Sequence, residues 1–340
     1  MEKDSVSMYF VRAALAKLPA AALPRVLAQA GIPAALLGAA QARVPARAFA
    51  ALWLAVAREL DDEFFGLDAR RMKVGSFALL CHALLHCGTL ERALRQCLRG
   101  FAVFLDDIDA ELHVEGADCV LRIGHRMAGL ADRRFAVETY LVMVHGLLCW
   151  LGGRRIAIRA ADFAYPAPEH AVEYRLLFSQ QLRFDAPSTE LRLDARVLAL
   201  PIVQDEAALK AFLRSAPQSV FLKYRNTEGW SARIRRQLRG SLGAPWPTLD
   251  ELAARFGVAP ATLRRRLEAE GVSYQEIKDA LRRDIAIHHL CHGGLSIAEM
   301  ADLLGFREPS AFHRAFRKWT GARPGDYRAG RAAGPAGNEA

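Results

Sequence analysis

The spacing of apolar positions repeats itself in the last third of the chain. Leu249, Leu252, Ala253 and Phe256 stand at i, i+3, i+4 and i+7, and Ile297, Met300, Ala301 and Leu304 stand at the same offsets forty-eight residues later. That spacing predicts one apolar stripe on each of two helices. Thr248 with Glu251, and Ser296 with Glu299, sit where a capping box satisfies the free N–H groups of a helix start. Each run ends at a glycine followed by an apolar residue, Gly257-Val258 and Gly305-Phe306. Glycine admits the left-handed backbone that stops one helix and turns the chain into the next. A second helix follows in each copy, with Leu263 and Leu267, or Phe312 and Phe316, facing inward, and Gly271 or Gly321 closes the unit.

Between the copies, Ile277, Leu281 and Ile285 predict one continuous helix from Tyr274 to Leu290, with Lys278, Arg282 and Arg283 pointing away from its apolar stripe. A stiff connector of this kind would hold two helices so that one chain enters successive major grooves, about 34 Å apart.

Upstream the period changes. Residues 1–70 read as alanine-rich helices broken at Leu23-Pro24, Gly31-Ile32-Pro33 and Val44-Pro45, with a strong helix from Ala46 to Leu60. Helices follow at Ser76 to Leu85 and Leu90 to Leu105. Alternation over Ala110 to Val114 and Cys119 to Ile123, around Glu115-Gly116-Ala117-Asp118, predicts a hairpin. Beyond it come a helix from about Arg134 to Leu151, strands at Ile156 to Ala164, Leu182 to Phe184 and Glu190 to Leu193, and helices at His170 to Phe178 and Asp205 to Leu213. The expected fold class is an α+β N-terminal sensor domain plus an all-α C-terminal domain with two helix-turn-helix motifs joined by a long helix. The expected boundaries are 1–220, a linker with a short basic helix at 221–247, the double motif at 248–328 and a flexible tail at 329–340.

Composition narrows the partners. The net charge of +9 is uneven: from Phe221 onward the chain carries 20 Lys and Arg against 13 Asp and Glu, and the remainder carries 26 against 24. A basic final third beside a near-neutral body points to a polyanion for that third. The opening MEKDSVSMYF lacks the apolar core of a signal peptide. The most apolar stretch, Tyr140 to Leu151, contains His145 and is too short for a bilayer, so no membrane and a cytoplasmic location are expected. Cys81, Cys87, Cys97, Cys119, Cys149 and Cys291 lie singly, without a CxxC, as small hydrophobes of a reducing compartment.

Two helices joined by a tight glycine turn form a scaffold that presents its second helix to the major groove. On the first such helix Ala261, Thr262, Arg264, Arg265 and Arg266 are the candidate DNA contacts. On the second they are Ser310, His313, Arg314, Arg317 and Lys318. Arginine forks to guanine or binds phosphate, and Arg317 and Lys318 fit the phosphate role better. Trp319, Pro324 and Tyr327 around Gly321 read as a packed closing turn rather than a base-stacking platform. His82 with His86, and His288 with His292, have chelating spacing, but no carboxylate stands within a turn of either pair, so no metal site is expected. No cofactor is expected. Nucleophile and phosphate-loop motifs are absent, and Asp106, Asp107 and Asp109 read as solvated acids at a helix end, which leaves no catalytic constellation.

The run Ser296-Ile297-Ala298-Glu299-Met300-Ala301 through Leu304-Gly305-Phe306, then Phe312, Phe316-Arg317-Lys318-Trp319, Gly321, Pro324 and Tyr327-Arg328, resembles the C-terminal signature of AraC-type transcriptional regulators. The likeness covers nearly all of residues 245–328 and departs from the commonest pattern at Glu308-Pro309. Met72-Lys73-Val74-Gly75-Ser76-Phe77, with Tyr174-Arg175-Leu176-Leu177-Phe178 through Arg183-Phe184, is similar to the arabinose-binding-like effector domain of the subgroup related to ornithine-utilisation and virulence regulators. The resemblance implies a transcription regulator that binds double-stranded promoter DNA, responds to a small-molecule effector, forms a homodimer and works beside RNA polymerase. The alternative is an effector-independent architectural DNA-binding protein.

Overall fold

Residues 5–217, 220, 229–242 and 244–328 are described in the structure, a computed structural model. The tail expected at 329–340 and part of the linker expected at 221–247 lie outside them. The chain divides into two compact units, one formed from Tyr9–Val26 and Phe49–Asn226, the other from Met1–Met8, Leu27–Ala48 and Thr227–Ala340.

The first unit is α+β. Its sheet contains β3 (Ile108–Glu115), β4 (Asp118–His125), β5 (Ile158–Asp162), β6 (Leu182–Arg183) and β7 (Thr189–Asp194) in the order β3-β4-β7-β5-β6. All neighbours are antiparallel except β5 and β6. The alternating segments pair as a hairpin with Glu115 opposite Asp118, and Gly116 at φ +62 supplies the left-handed turn residue. Asp106 and Asp107 do more than face solvent. Asp106 pairs with Arg70 at 3.2 Å, and the Asp107 carboxylate accepts the Ala69 N–H at 3.0 Å, so both fasten the loop that carries Ala69 and Arg70.

Its helices are α3 (Ala46–Leu60), α4 (Ser76–Leu85), α5 (Leu90–Phe104), α6 (Leu130–Leu151), α7 (Ala171–Leu177) and α8 (Glu206–Ser215), with α1 (Met8–Leu15) and the start of α2 (Leu23–Ala30) before them, and α5 packs on β3. By length and composition α6 could cross a bilayer, yet 89% of its apolar window is buried inside the protein. It is the core helix. Its Glu138, 1% exposed, is held by the Tyr9 hydroxyl at 3.1 Å, by His170 at 2.9 Å and by the Tyr174 hydroxyl. A buried carboxylate is tolerated when its lone pairs are satisfied in this way.

The second unit is helical apart from a short ribbon, β1 (Ser5–Ser7) paired antiparallel with β2 (Arg43–Pro45). Here the all-helical reading of residues 1–70 fails. Three-residue strands are too short to show a period, and their pairing rests on a side chain distant in sequence. Buried Arg43 donates from Nε to the Ser5 hydroxyl at 2.7 Å and from a terminal nitrogen to the Ser5 carbonyl at 2.9 Å.

Candidate nucleic-acid interface

Each repeat is built as its spacing demands. In α10 (Leu249–Arg255) the Glu251 N–H donates to the Thr248 hydroxyl at 3.2 Å while the Thr248 N–H donates to the Glu251 carboxylate at 2.7 Å. Gly257 then takes φ +66, and the Val258 N–H returns to the Ala253 carbonyl at 3.0 Å. The next helix, α11 (Pro260–Ala269), buries Leu263 and Leu267 and exposes Ala261, Arg264, Arg265 and Arg266, with Thr262 half-buried. In the second copy α13 (Ile297–Leu303) carries the Ser296–Glu299 capping box, and Gly305 takes φ +73. The following helix, α14 (Pro309–Thr320), buries Phe312 and Phe316 and exposes Ser310, His313, Arg314, Arg317 and Lys318. Pro324 and Tyr327 are buried in α15 (Pro324–Arg328), and Trp319 packs 5.9 Å from the Phe306 ring, so the aromatic group is a closing turn.

The connector α12 (Tyr274–His292) is one uninterrupted helix of 19 residues. Its start is fixed by a further capping box, Ser273 with Glu276, whose S-x-x-E spacing is the sequence signal for it. Ile277, Leu281 and Ile285 are buried on it. Arg282 does not point away, as its spacing suggested. Its Nε donates to the Leu304 carbonyl at 2.9 Å, and the guanidinium lies 5.1 Å from the Trp246 ring and 5.3 Å from the Phe306 ring. A cation on the last carbonyls of α13 suits the negative helix end. It also fastens the connector to the turn of the second repeat. Lys278 lies 4.8 Å over the Tyr274 ring, and Arg283 pairs with Asp284 at 3.1 Å.

The basic helix of the linker region, α9 (Trp230–Gly240), belongs to this packing. Glu270, at the end of α11, accepts the Trp230 N–H at 2.6 Å and the Ser231 N–H at 3.0 Å, and Ile234 and Leu238 are buried. Arg266 is drawn in from the other side, its guanidinium 4.4 Å over the Trp230 ring, beside Arg233 at 4.3 Å. Among the described residues no carboxylate pairs with Arg264, Arg265, Arg314, Arg317 or Lys318. Their charge is therefore unneutralised on the open faces of α11 and α14, where phosphates would displace only counterions. Ser310 differs, because its hydroxyl donates to the Glu308 carboxylate at 3.1 Å.

The histidine pairs fall elsewhere. Glu206, brought in on α8, lies 3.8 Å from both His82 and His86, so the first pair has a carboxylate neighbour that its own sequence surroundings lack. All three are exposed at the surface. Among the described residues no group of three or more His, Cys, Asp or Glu side chains is arranged to hold a metal ion. His292 Nδ1 lies 2.9 Å from the His288 carbonyl, a bond within one helix. All six cysteines are free thiols.

Comparison with known proteins bears on both units. Residues 21–202 match the family described as the arabinose-binding domain of AraC transcription regulators, N-terminal, and residues 252–330 match a helix-turn-helix domain. The ornithine utilization regulator of Pseudomonas aeruginosa is 30% identical over 259 residues, 76% of either chain. The HTH-type transcriptional regulator VirS of Mycobacterium tuberculosis is 26% identical over 278 residues, 81% of either chain. Among solved structures, the transcriptional regulator CdpR from Pseudomonas aeruginosa matches 96% of this chain and 100% of its own at 20% identity, with a TM-score of 0.31.

Proposed function

The chain belongs to the AraC-type transcription regulators, and on that premise we propose how its parts divide the work. It is a DNA-binding regulator with an N-terminal ligand-binding domain. Residues 1–220, apart from the ribbon and the Leu27–Ala48 segment that belong to the helical unit, bind a small-molecule effector and form a homodimer in the cytoplasm. Residues 221–247 join them to 248–328, which engage double-stranded promoter DNA within reach of RNA polymerase. On α11, Ala261, Thr262, Arg264 and Arg265 face base edges and phosphates, with Arg266 at the margin. On α14, His313 and Arg314 face the groove, Ser310 lies at its mouth, and Arg317 and Lys318 hold phosphates.

One observation supports this reading most strongly. Two glycine-turned helix pairs are joined by one continuous helix, and the outward arginines of both pairs lack carboxylate partners among the described residues. At 1.5 Å per residue α12 is about 28 Å long, close to one turn of duplex. Effector control then requires that the ligand bind one arrangement of the protein better than another.

The test is selection of bound fragments from genomic DNA with the full-length protein, followed by anisotropy titration of the recovered duplex against random competitor. The expected result is a shared sequence bound at least a hundredfold more tightly than competitor, with affinity falling steeply as salt rises. Equal binding to the recovered and random duplexes overturns sequence-specific regulation. A selective protein that responds to no metabolite matches the architectural alternative.

A further inference from the structure

The α+β unit contains a cavity of about 210 Å³ between α3, α4, α6 and the end of α8. Trp53, Phe77, Met143 and Leu213 supply apolar walls, and two charged side chains, Arg58 and Glu63, reach its lining. Glu63 is already committed. One carboxylate oxygen accepts the Gly75 N–H at 2.9 Å and the other the Phe77 N–H at 2.7 Å, at the first turn of α4. Those amides are unsatisfied groups of a helix start, so Glu63 braces the wall. Arg58 is exposed at the mouth, and among the described residues no carboxylate pairs with it. The uncommitted charge at this cavity is therefore positive, at the edge of an apolar space.

Size limits the occupant. A cavity of about 150 Å³ accepts a benzene ring, so this one has room for a ring or short chain with an arm of about two or three further atoms. Position favours control over storage. Leu213, Ala216, Pro217 and Val220 line the same cavity, and Val220 is the last described residue before the chain leaves for the other compact unit at Thr227. The Val220 backbone lies against α6 so closely that a Cβ on Gly146 would come within 2.7 Å of its carbonyl oxygen. An occupant of the cavity thus touches the stretch that hands the chain on to the DNA-binding part.

We propose that this cavity is the effector site and that its ligand is a small monocarboxylate with an apolar body, the body enclosed by Trp53, Phe77, Met143 and Leu213 and the carboxylate forked on Arg58. The proposal rests on the reading of the N-terminal part as effector-binding. A guanidinium matches a carboxylate bidentately, which separates an acid from an amide or amine of the same shape.

The experiment uses the full-length protein and four probes: hexanoate, phenylacetate, phenylacetamide and phenethylamine. Melting temperature and calorimetric titration are read for the wild type, Arg58→Gln and Ala78→Leu, the last filling the cavity from α4. Circular dichroism confirms that each variant folds. The two acids should raise the wild-type melting temperature, the amide and amine should not, and Arg58→Gln should weaken acid binding about tenfold or more. Ala78→Leu should abolish it. Stabilisation by the amine or amide equal to that by the acids overturns the ligand class, and acid binding unaffected by Ala78→Leu overturns the site. No response to any probe overturns the proposal. Selective DNA binding by the unliganded wild type is measured in parallel, and its loss would instead count against the regulatory reading.

Discussion

The Ser5 hydroxyl donates to the Asp284 carboxylate at 2.6 Å across 279 positions of sequence, so the beginning of the chain is bonded to the helix that joins the two repeats. Arg43 completes the arrangement, 2.7 Å from the same hydroxyl and 4.0 Å from Asp284. The helical unit therefore includes the N-terminal ribbon. α12 owes part of its fixed position to residues far outside the double motif.

Loss of this bond should weaken the helical unit. Burial alone would raise the Asp284 carboxyl. The guanidinium groups of Arg283 and Arg43 and the Ser5 hydroxyl outweigh that and hold it below the usual carboxylate range. Ser5→Ala removes one donor from a charged acceptor, at a cost of about 1–3 kcal/mol. Because the carboxyl is depressed in the folded state, its contribution is complete above the unfolded value of about 3.9 and is lost as pH falls through the folded value. Urea unfolding of full-length wild type and Ser5→Ala at neutral pH should differ by this amount. Identical midpoints would show that the bond contributes nothing.

The arginines of α11 should divide by function. Arg264→Ala with Arg265→Ala should weaken binding to the selected duplex by about 1–3 kcal/mol for each side chain that reads a base edge, and should flatten the salt dependence if phosphates are involved. Arg266→Ala should act on folding instead, since its guanidinium lies on the Trp230 ring, an interaction of about 0.5–1 kcal/mol at an exposed site. Anisotropy at two salt concentrations, beside a melting curve, separates the outcomes. A larger binding loss for Arg266→Ala than for the double variant would reverse the assignment.

What the sequence disclosed follows the range of the interactions. Helices such as α3, α10 and α13 were legible because their apolar positions recur every turn, the caps of α10 and α13 are local, and the exposed faces of α11 and α14 follow directly from Leu263, Leu267, Phe312 and Phe316 turning inward. Features set by distant partners were not. Nothing near Arg43 announces Ser5 or Asp284, nothing near Arg266 announces Trp230, and the three residues of β1 are too few to show alternation. Arg282 is the instructive case. Its spacing put it off the apolar stripe, which is correct, but the turn at Leu304 supplied a carbonyl on that side. Glu138 illustrates the same limit in the other unit, since its ligands come from α1, α7 and the residue before α7.

A methyl group on α6 should test the close approach beside the cavity. In a helix interior, replacing glycine by alanine ordinarily gains about 1 kcal/mol. At Gly146 the new Cβ would lie 2.6 Å from the Val220 side chain and 2.7 Å from its carbonyl oxygen. Overpacking against backbone costs about 1–3 kcal/mol, so the clash should win and Gly146→Ala should lower the melting temperature. Gly240, with open space around it, is the control and should tolerate alanine without loss. A Gly146→Ala protein more stable than wild type would mean that Val220 does not pack there.

Acid should destabilise the α+β unit through one buried histidine. His145 is buried on α6, with Nε2 2.8 Å from the Ile156 carbonyl and 3.4 Å from the Cys149 sulfur. Burial pushes its imidazole down to about 4, the Ile156 carbonyl opposing the shift and Arg155 adding to it. An unfolded histidine titrates near 6.5. Between those values the unfolded chain takes up a proton that the folded core refuses, so stability falls as pH drops from about 6.5 toward 4 and is intact above that window. The full loss is about 3 kcal/mol, and roughly 2 kcal/mol of it should be seen by pH 5. The window lies above that of Asp284, so the two effects separate along the pH axis. His145→Gln keeps a donor for the Ile156 carbonyl but cannot be protonated. Urea midpoints for wild type should fall between pH 7.5 and pH 5 by more than those of His145→Gln, and parallel curves for the two proteins would exclude His145 as the titrating group.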